Sequence, residues 1–302
     1  MKLIYKFLKI INKKKYYEKK FLLKIERERY IFDSKIKNEL KKIDIAIKTK
    51  KELNFLHSGH CGDLLYSLPL IKKISETHKC NLLIGVNKKL SQEYYKHPAK
   101  NVFIDQRMFS LILPLLKNQN YLKDVKQYSN EIVDINLDIF RDLPISLSFN
   151  SSKWYFHIAG VTTDLSQPYL VSSEHNLIKN KIVLLRSLRN RNYLINYNFL
   201  NEYNEDFIFI GLKDEYEDLK KQVRNLTYYE PKDFWEMSQV IKSSKFFLGN
   251  QSLAFSIAEG LKVPRLLESK PDLPYVQPNG GKCFDFYFQI HFEKYFNILY
   301  RS

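Results

Sequence analysis

Residues 57–71 read HSGHCGDLLYSLPLI, directly after the apolar run Leu53–Leu56. An apolar run of that length, then a turn holding Gly59 and Gly62, then Leu64, Leu65, Leu68, Ile71 and Ile74 at helical spacing predicts strand, turn and helix. Only 9 of the 302 residues are glycine, about 3% against an average near 7%, so two of them in one turn mark a close backbone approach. Asp63 stands at the start of the helix. Pro69 falls inside it and predicts a bend or a late helix start.

Outward from this unit, short apolar runs alternate with helix-like stretches: Asn81–Val86, Val102–Ile104 and Ile132–Ile135 in one series, then IVLL after Lys181, Phe207–Gly211, Phe246–Gly249 and Pro264–Leu267 in a second. Helical patterns over Tyr216–Arg224, Asp233–Ser243 and Leu253–Leu261 separate the later runs. Two βαβ series predict two parallel-sheet halves facing a cleft. The stretch rich in Ser, Thr, Pro and Gly over 150–180 predicts the boundary between them. The expected division is a basic helical extension over 1–51, one half over 52–165 and a second over 166–302, with the aromatic tail packing back onto the first half.

Charge and cysteine content bound the function. The formal charge is +16, and residues 1–51 hold 18 Lys and Arg against 6 Asp and Glu, a net +12. The opening residues, with Leu3, Ile4, Phe7, Leu8, Ile10 and Ile11 between lysines, allow an amphipathic helix on an anionic membrane surface or a solvated helix on the body. No run approaches the roughly 20 apolar residues of a membrane span, and no signal peptide is expected. Cys61, Cys80 and Cys283 are too irregularly spaced for a disulfide framework, which predicts a reducing, cytoplasmic setting.

Several chemistries fit poorly. GHCGD (59–63) is not the dinucleotide fingerprint, and no acidic residue closes the next strand at Val86. His57, His60 and Asp63 fall three apart, but on a strand-to-turn segment they need not share a face, so no metal is expected. Cys61 lacks an oxyanion motif around it.

The order strand, small-residue turn, Gly62, Asp63, two apolar residues, then Ser67, Leu68 and Pro69 resembles the first motif of the family 9, heptosyltransferase-like glycosyltransferases. Phe246–Pro264 (FFLGNQSLAFSIAEGLKVP) is similar to the family's donor-diphosphate segment. The resemblance implies an α/β GT-B fold, two Rossmann-like domains facing a cleft. It implies an inverting, metal-independent transferase with no cofactor, which moves a sugar from a nucleoside-diphosphate donor to a hydroxyl of a glycan or lipopolysaccharide. Asp63 would be the base that takes the acceptor proton, where otherwise it is a helix cap. Asn250, Gln251 and Ser252 at the second helix start would hold the diphosphate, with Gly62 lining the site and Glu259 near the donor ribose. Relatives place basic residues after the strand that opens the second half, which implies phosphate contacts for Arg186, Arg189 and Arg191.

The chain departs from the family pattern in the second segment, where Gln251, Leu253 and Ser256 replace the usual Asp, Gly and His. That departure keeps a non-catalytic nucleotide-sugar or glycan-binding relative as an alternative. A nucleic-acid-binding protein is the other alternative, motivated by the lysine-rich start. Against it, the charge sits outside the α/β body and no recognition motif accompanies it. The basic segment would instead place the enzyme peripherally at the inner membrane surface, near a lipid-linked acceptor.

Overall fold

A computed structural model of the chain describes residues 9–90, 98–145, 147–272 and 275–302. Leu3, Ile4, Phe7 and Leu8 therefore lie outside the described residues. The first helix, α1 (Lys13–Ile31), is capped by the Asn12 side chain, which accepts from Lys15 N–H at 3.0 Å. It buries no residue. At 100° per residue its exposed Phe21, Leu22 and Leu23 point to three different sides, so it has no single apolar face. Through a π-helical turn (Phe32–Ile36) it runs into α2 (Lys37–Thr49), where Ile36, Ile43 and Ala46 become buried and the extension joins the body.

The first sheet is parallel throughout, with order β3 (Asp124–Gln127), β2 (Lys79–Ile84), β1 (Glu52–His57), β4 (Ile135–Asn136). Helix α3 (Cys61–Ser75) follows β1 with Pro69 inside it, and α4 (Gln106–Lys117) crosses between β2 and β3. Helix α3 starts before Pro69, so the proline falls mid-helix and does not delay the start. The run Val102–Ile104, expected as a strand, contributes only a single antiparallel bridge from Val102 to Lys89. A short helical turn, Leu137–Asp142, and α5 (Ser151–Ala159) close this half.

The second sheet is also parallel, in the order β10 (Cys283–Phe286), β9 (Arg265–Glu268), β8 (Phe246–Asn250), β5 (Ile182–Leu185), β6 (Phe207–Phe209), β7 (Leu226–Tyr228). Helices α6 (Lys213–Lys220), α7 (Phe234–Lys242) and α8 (Leu253–Leu261) connect its strands. Read from β7, this is the doubly wound order 3-2-1-4-5-6. Its central strands are buried on both faces, which is why they read as unbroken apolar runs.

Side-chain alternation splits that sheet between two cores. Ile182, Leu184, Phe246, Leu248 and Leu266 point into a core closed by α9 (Gln289–Tyr300) through Phe292, Phe296 and Leu299. Val183, Leu185, Phe247 and Leu267 point the other way, into a core continuous with Leu53, Phe55, Leu64 and Leu68 of the first half. The tail thus corrects the expectation made for it. Its aromatic helix packs on the second sheet, while the described segment around Tyr275–Gln277 reaches the first half, where the Tyr275 carbonyl accepts from Ser151 N–H and Oγ–H at 3.0 and 2.8 Å.

Candidate active site

In open parallel sheets a ligand site forms beyond the carboxyl ends of the strands, where the strand order reverses. The first sheet reverses between β1 and β4, the second between β5 and β8. The candidate residues gather at these two points.

At the first, His57 ends β1 and is wholly buried. Its Nδ1 accepts from Gly59 N–H at 3.1 Å, which leaves Nε2 to donate to the Tyr155 hydroxyl at 3.0 Å. Tyr155 in turn donates to the Asp63 carbonyl at 3.0 Å. Burial pushes His57 down to about 4, so this chain is a neutral brace that fixes the turn and the first residues of α3. With both ring nitrogens engaged, His57 has no lone pair to offer a metal. Among the described residues no group of three His, Cys, Asp or Glu is placed to hold one.

Asp63 is the third residue of α3, with 19% of its side chain exposed. Burial raises its carboxyl pKa, while the Arg141 charge pulls it back. Arg141 arrives from the turn after β4, its NH2 group 3.5 Å from Asp63 Oδ2. The absence of a side chain at Gly59 makes that approach possible, because a Cβ there would sit 2.3 Å from Arg141 NH2 and 2.7 Å from His57 Cε1. Gly59→Ala is therefore expected to cost about 1–3 kcal/mol of stability, readable as a lower urea midpoint at unchanged slope. Cys61, in the same helical turn, is buried and pushed up to about 12, which keeps it an unreactive thiol.

At the second switch point Asn250 clamps the two central strands. Its Oδ1 accepts from Ser187 N–H at 2.9 Å and its Nδ2 donates to the Ser187 carbonyl at 2.8 Å. Asn190 donates to the Gln251 carbonyl at 2.7 Å. Ser252 caps α8, accepting from Phe255 N–H at 3.3 Å, and Ser256 Oγ donates back to the Ser252 carbonyl at 3.1 Å. The start of α8 is thus an ordered helix terminus with partial positive charge. The loop after β5 and the segment after β9 line a depression of about 570 Å³, with Arg189, Arg191, Tyr193 and Lys270 among its walls.

The two points meet. A Cβ on Gly62 would lie 3.3 Å from Ser256 Oγ, so α3 and α8 touch across the seam. The Arg189 charge reaches His60 in the first half and, with burial as the larger cause, holds it near 4.

Not every expected residue faces this seam. Arg186 is buried with its fork on Glu268, Nε to Oε2 at 2.7 Å and NH2 to Oε1 at 3.1 Å, and it donates to the carbonyls of Asn192 and Ile195. Arg191 pairs with Asp218 and donates to the Ser187 and Arg186 carbonyls. Glu259 is buried against Lys262 and Arg265, the latter at 2.6 Å, and accepts from Asn279 N–H. Arg186, Glu259 and Asn250 are engaged in holding strands and loops rather than placed towards a donor, while Arg191, also tied to the loop, still lines the depression. Arg189 keeps its place at the seam. Asp138, Arg141 and Glu215 were not anticipated. Asp138 and Arg141 follow the run ending at Ile135, and reading on past that strand end would have found them. Buried Glu215 accepts from the Leu188 and Leu212 N–H groups, which ties the loops after β5 and β6 together.

Two Rossmann-like halves joined with their switch points facing define the GT-B class of fold. The chain is similar to a family 9 glycosyltransferase from Veillonella parvula, with a TM-score of 0.54 at 9% identity over 83% of this chain and 89% of that one. It is also similar to the ADP-heptose lps heptosyltransferase II of E. coli, with a TM-score of 0.50 at 11% identity over 82% of this chain and 98% of that one. A third likeness is to the dodecameric iron-containing heptosyltransferase TibC of enterotoxigenic E. coli in complex with ADP-D-beta-D-heptose. There the TM-score is 0.51 at 14% identity, over 78% of this chain and 63% of that one. No protein-family model and no curated protein matches the sequence. At these identities the likeness establishes a shared GT-B fold.

Proposed function

We propose that the protein is a glycosyltransferase that moves a sugar from a nucleoside-diphosphate donor to a hydroxyl of a glycan or lipid-linked acceptor, with inversion. The observation that carries this reading is the meeting of the two switch points, with the Asp63 carboxylate on one side and the α8 start and Arg189 on the other. Asp63 takes the acceptor proton, the freed oxygen pair forms the bond to the anomeric carbon, and the bond from that carbon to the diphosphate breaks with its electrons leaving on phosphate. The N–H groups at Ser252 and Leu253 and the Arg189 guanidinium offset the charge that develops there. Gln251 and Asn250 shape the turn, and Gly62 lets the halves close around the sugar. The net +12 of residues 1–51 would hold the enzyme against an anionic membrane or polysaccharide on the cytoplasmic side. No described helix is long and apolar enough to cross a membrane.

The replacement of the family's Asp, Gly and His by Gln251, Leu253 and Ser256 favours a second reading, binding of a nucleotide sugar without transfer. One screen tests the common core of both. Nucleoside diphosphates and their sugars, ADP-heptose among them, are added during thermal unfolding. At 100 times its dissociation constant a true ligand adds about 2.7 kcal/mol, roughly 4 °C in Tm for a protein of this size. No shift with any of them contradicts both readings, and a shift without turnover of the donor selects the second.

A further inference from the structure

Arg141 lies beside Asp63 but takes no part in holding the donor in the reading above. It is unusually constrained. Its guanidinium lies over the rings of both Phe103 and Phe140, 4.6 and 4.1 Å from their centroids. Phe140 is itself stacked on Trp154 at 5.1 Å. On one side NH1 donates to Asp138 Oδ1 at 3.3 Å. Asp138 is anchored by Ser58 N–H and Lys88, both at 2.8 Å, and although burial opposes it, His57, Lys88 and the Ser58 N–H together pull Asp138 down to about 2. The arginine is therefore held by a permanent anion and two rings. On its other side NH2 is buried, has no hydrogen-bond partner among the described residues, and stops 3.5 Å from Asp63 Oδ2.

A guanidinium fixed so firmly, with one corner close to a carboxylate yet short of a hydrogen bond, acts through charge and leaves the acceptor's lone pairs open. We propose that Arg141 is a positioning residue that favours the charged form of Asp63 without taking up its lone pairs, so that those not used by the His60 N–H stay open to the acceptor hydroxyl. This rests on the assignment of Asp63 as the base.

The groups facing Asp63 leave this role to Arg141. His57 at the end of β1 charges only near pH 4, and so does His60 in the turn. Cys61 stays a neutral thiol, and Tyr155 from α5 meets the Asp63 carbonyl, not its carboxylate. Burial is the main force against charge on Asp63, repulsion from Asp138 adds to it, and the His60 N–H donates to the carboxylate and favours its charged form. Arg141 is the strongest of the charges that counter burial and Asp138, in part, since the carboxyl pKa still lies above its ordinary value.

The test follows the Asp63 carboxyl carbon by NMR in the full chain, labelled at aspartate and assigned by its loss in Asp63→Asn. Arg141→Gln should raise the Asp63 titration midpoint by about one pH unit or more, a tenfold gain in proton affinity. Arg141→Lys, which keeps the charge, should stay near the parent. A midpoint unmoved by Arg141→Gln, or moved equally by Gln and Lys, overturns the proposal. Should Arg141→Gln not fold, Phe103→Leu removes one of the two rings against the guanidinium without removing the charge; the midpoint should again rise, and an unmoved one again overturns it. The acid limb of donor turnover should move with the midpoint. If Asp63→Asn keeps turnover while the midpoints shift as stated, the base assignment fails and the electrostatic role of Arg141 stands.

Discussion

Asp63→Asn is expected to lower transfer turnover by about 10²–10⁴-fold while donor affinity stays the same, the range ascribed to one positioned base. The amide fills the same space and keeps the Tyr155 hydrogen bond to the main-chain carbonyl of residue 63, so the turn and the start of α3 are preserved. What disappears is the group that accepts a proton. The same substitution carries a signature in stability. Because burial raises the Asp63 pKa above its ordinary value of 3.8, the native state binds that proton more tightly than the unfolded chain does. Ionisation therefore costs stability as pH rises from 3.8 through the raised value. Asp63→Asn removes that cost, so the variant should gain stability over the parent above this window and lose the advantage below it. A gain in stability with a loss of turnover is the pattern of a functional carboxylate kept in an unfavourable place. Equal turnover in the variant and the parent eliminates the proposed base.

Glu268→Ala is expected to be the most destabilising single change in the second half, about 3–5 kcal/mol, read as a fall in the urea midpoint. Glu268 is fully buried and accepts from Arg186 twice, from Asn192 N–H at 2.6 Å and from the Tyr197 hydroxyl at 2.8 Å. Its removal strands the Arg186 charge in a site that is 3% exposed, stacked on the Tyr197 ring at 4.5 Å. The loop 186–197 that carries Arg189 loses its anchor in the same step, so donor binding should weaken as well. A cost near that of an exposed ion pair, below about 1 kcal/mol, contradicts this account of the loop.

The two units that decide the fold were legible because both are short apolar strands followed by a turn and an apolar helix. Strand β1 with α3 and β8 with α8 emerge from periodicity alone, and α8 falls on its expected bounds Leu253–Leu261. Three of the four edge strands did not. Strand β3 reads DVKQ with one buried side chain, and β7 and β10 are three and four residues long, so none carries an apolar run. Asp63 was legible because it sits in the glycine turn itself. Arg141 was not, because it comes from beyond a two-residue strand and meets Asp63 only when β4 pairs with β1. Arg186 and Glu259 were misread for a related reason. Their partners Glu268 and Arg265 both lie on β9, and an arginine after a strand looks like a phosphate ligand until the sheet order puts a carboxylate against it.

The central claim is that the two switch points form one donor site. Its most direct test is a crystal structure of the full chain with the nucleoside diphosphate that gives the largest thermal shift. The account predicts the diphosphate at the Ser252 start of α8, within reach of Arg189, with its terminal phosphate towards Asp63. A diphosphate bound anywhere else, or one bound on the surface of the first half alone, would contradict it.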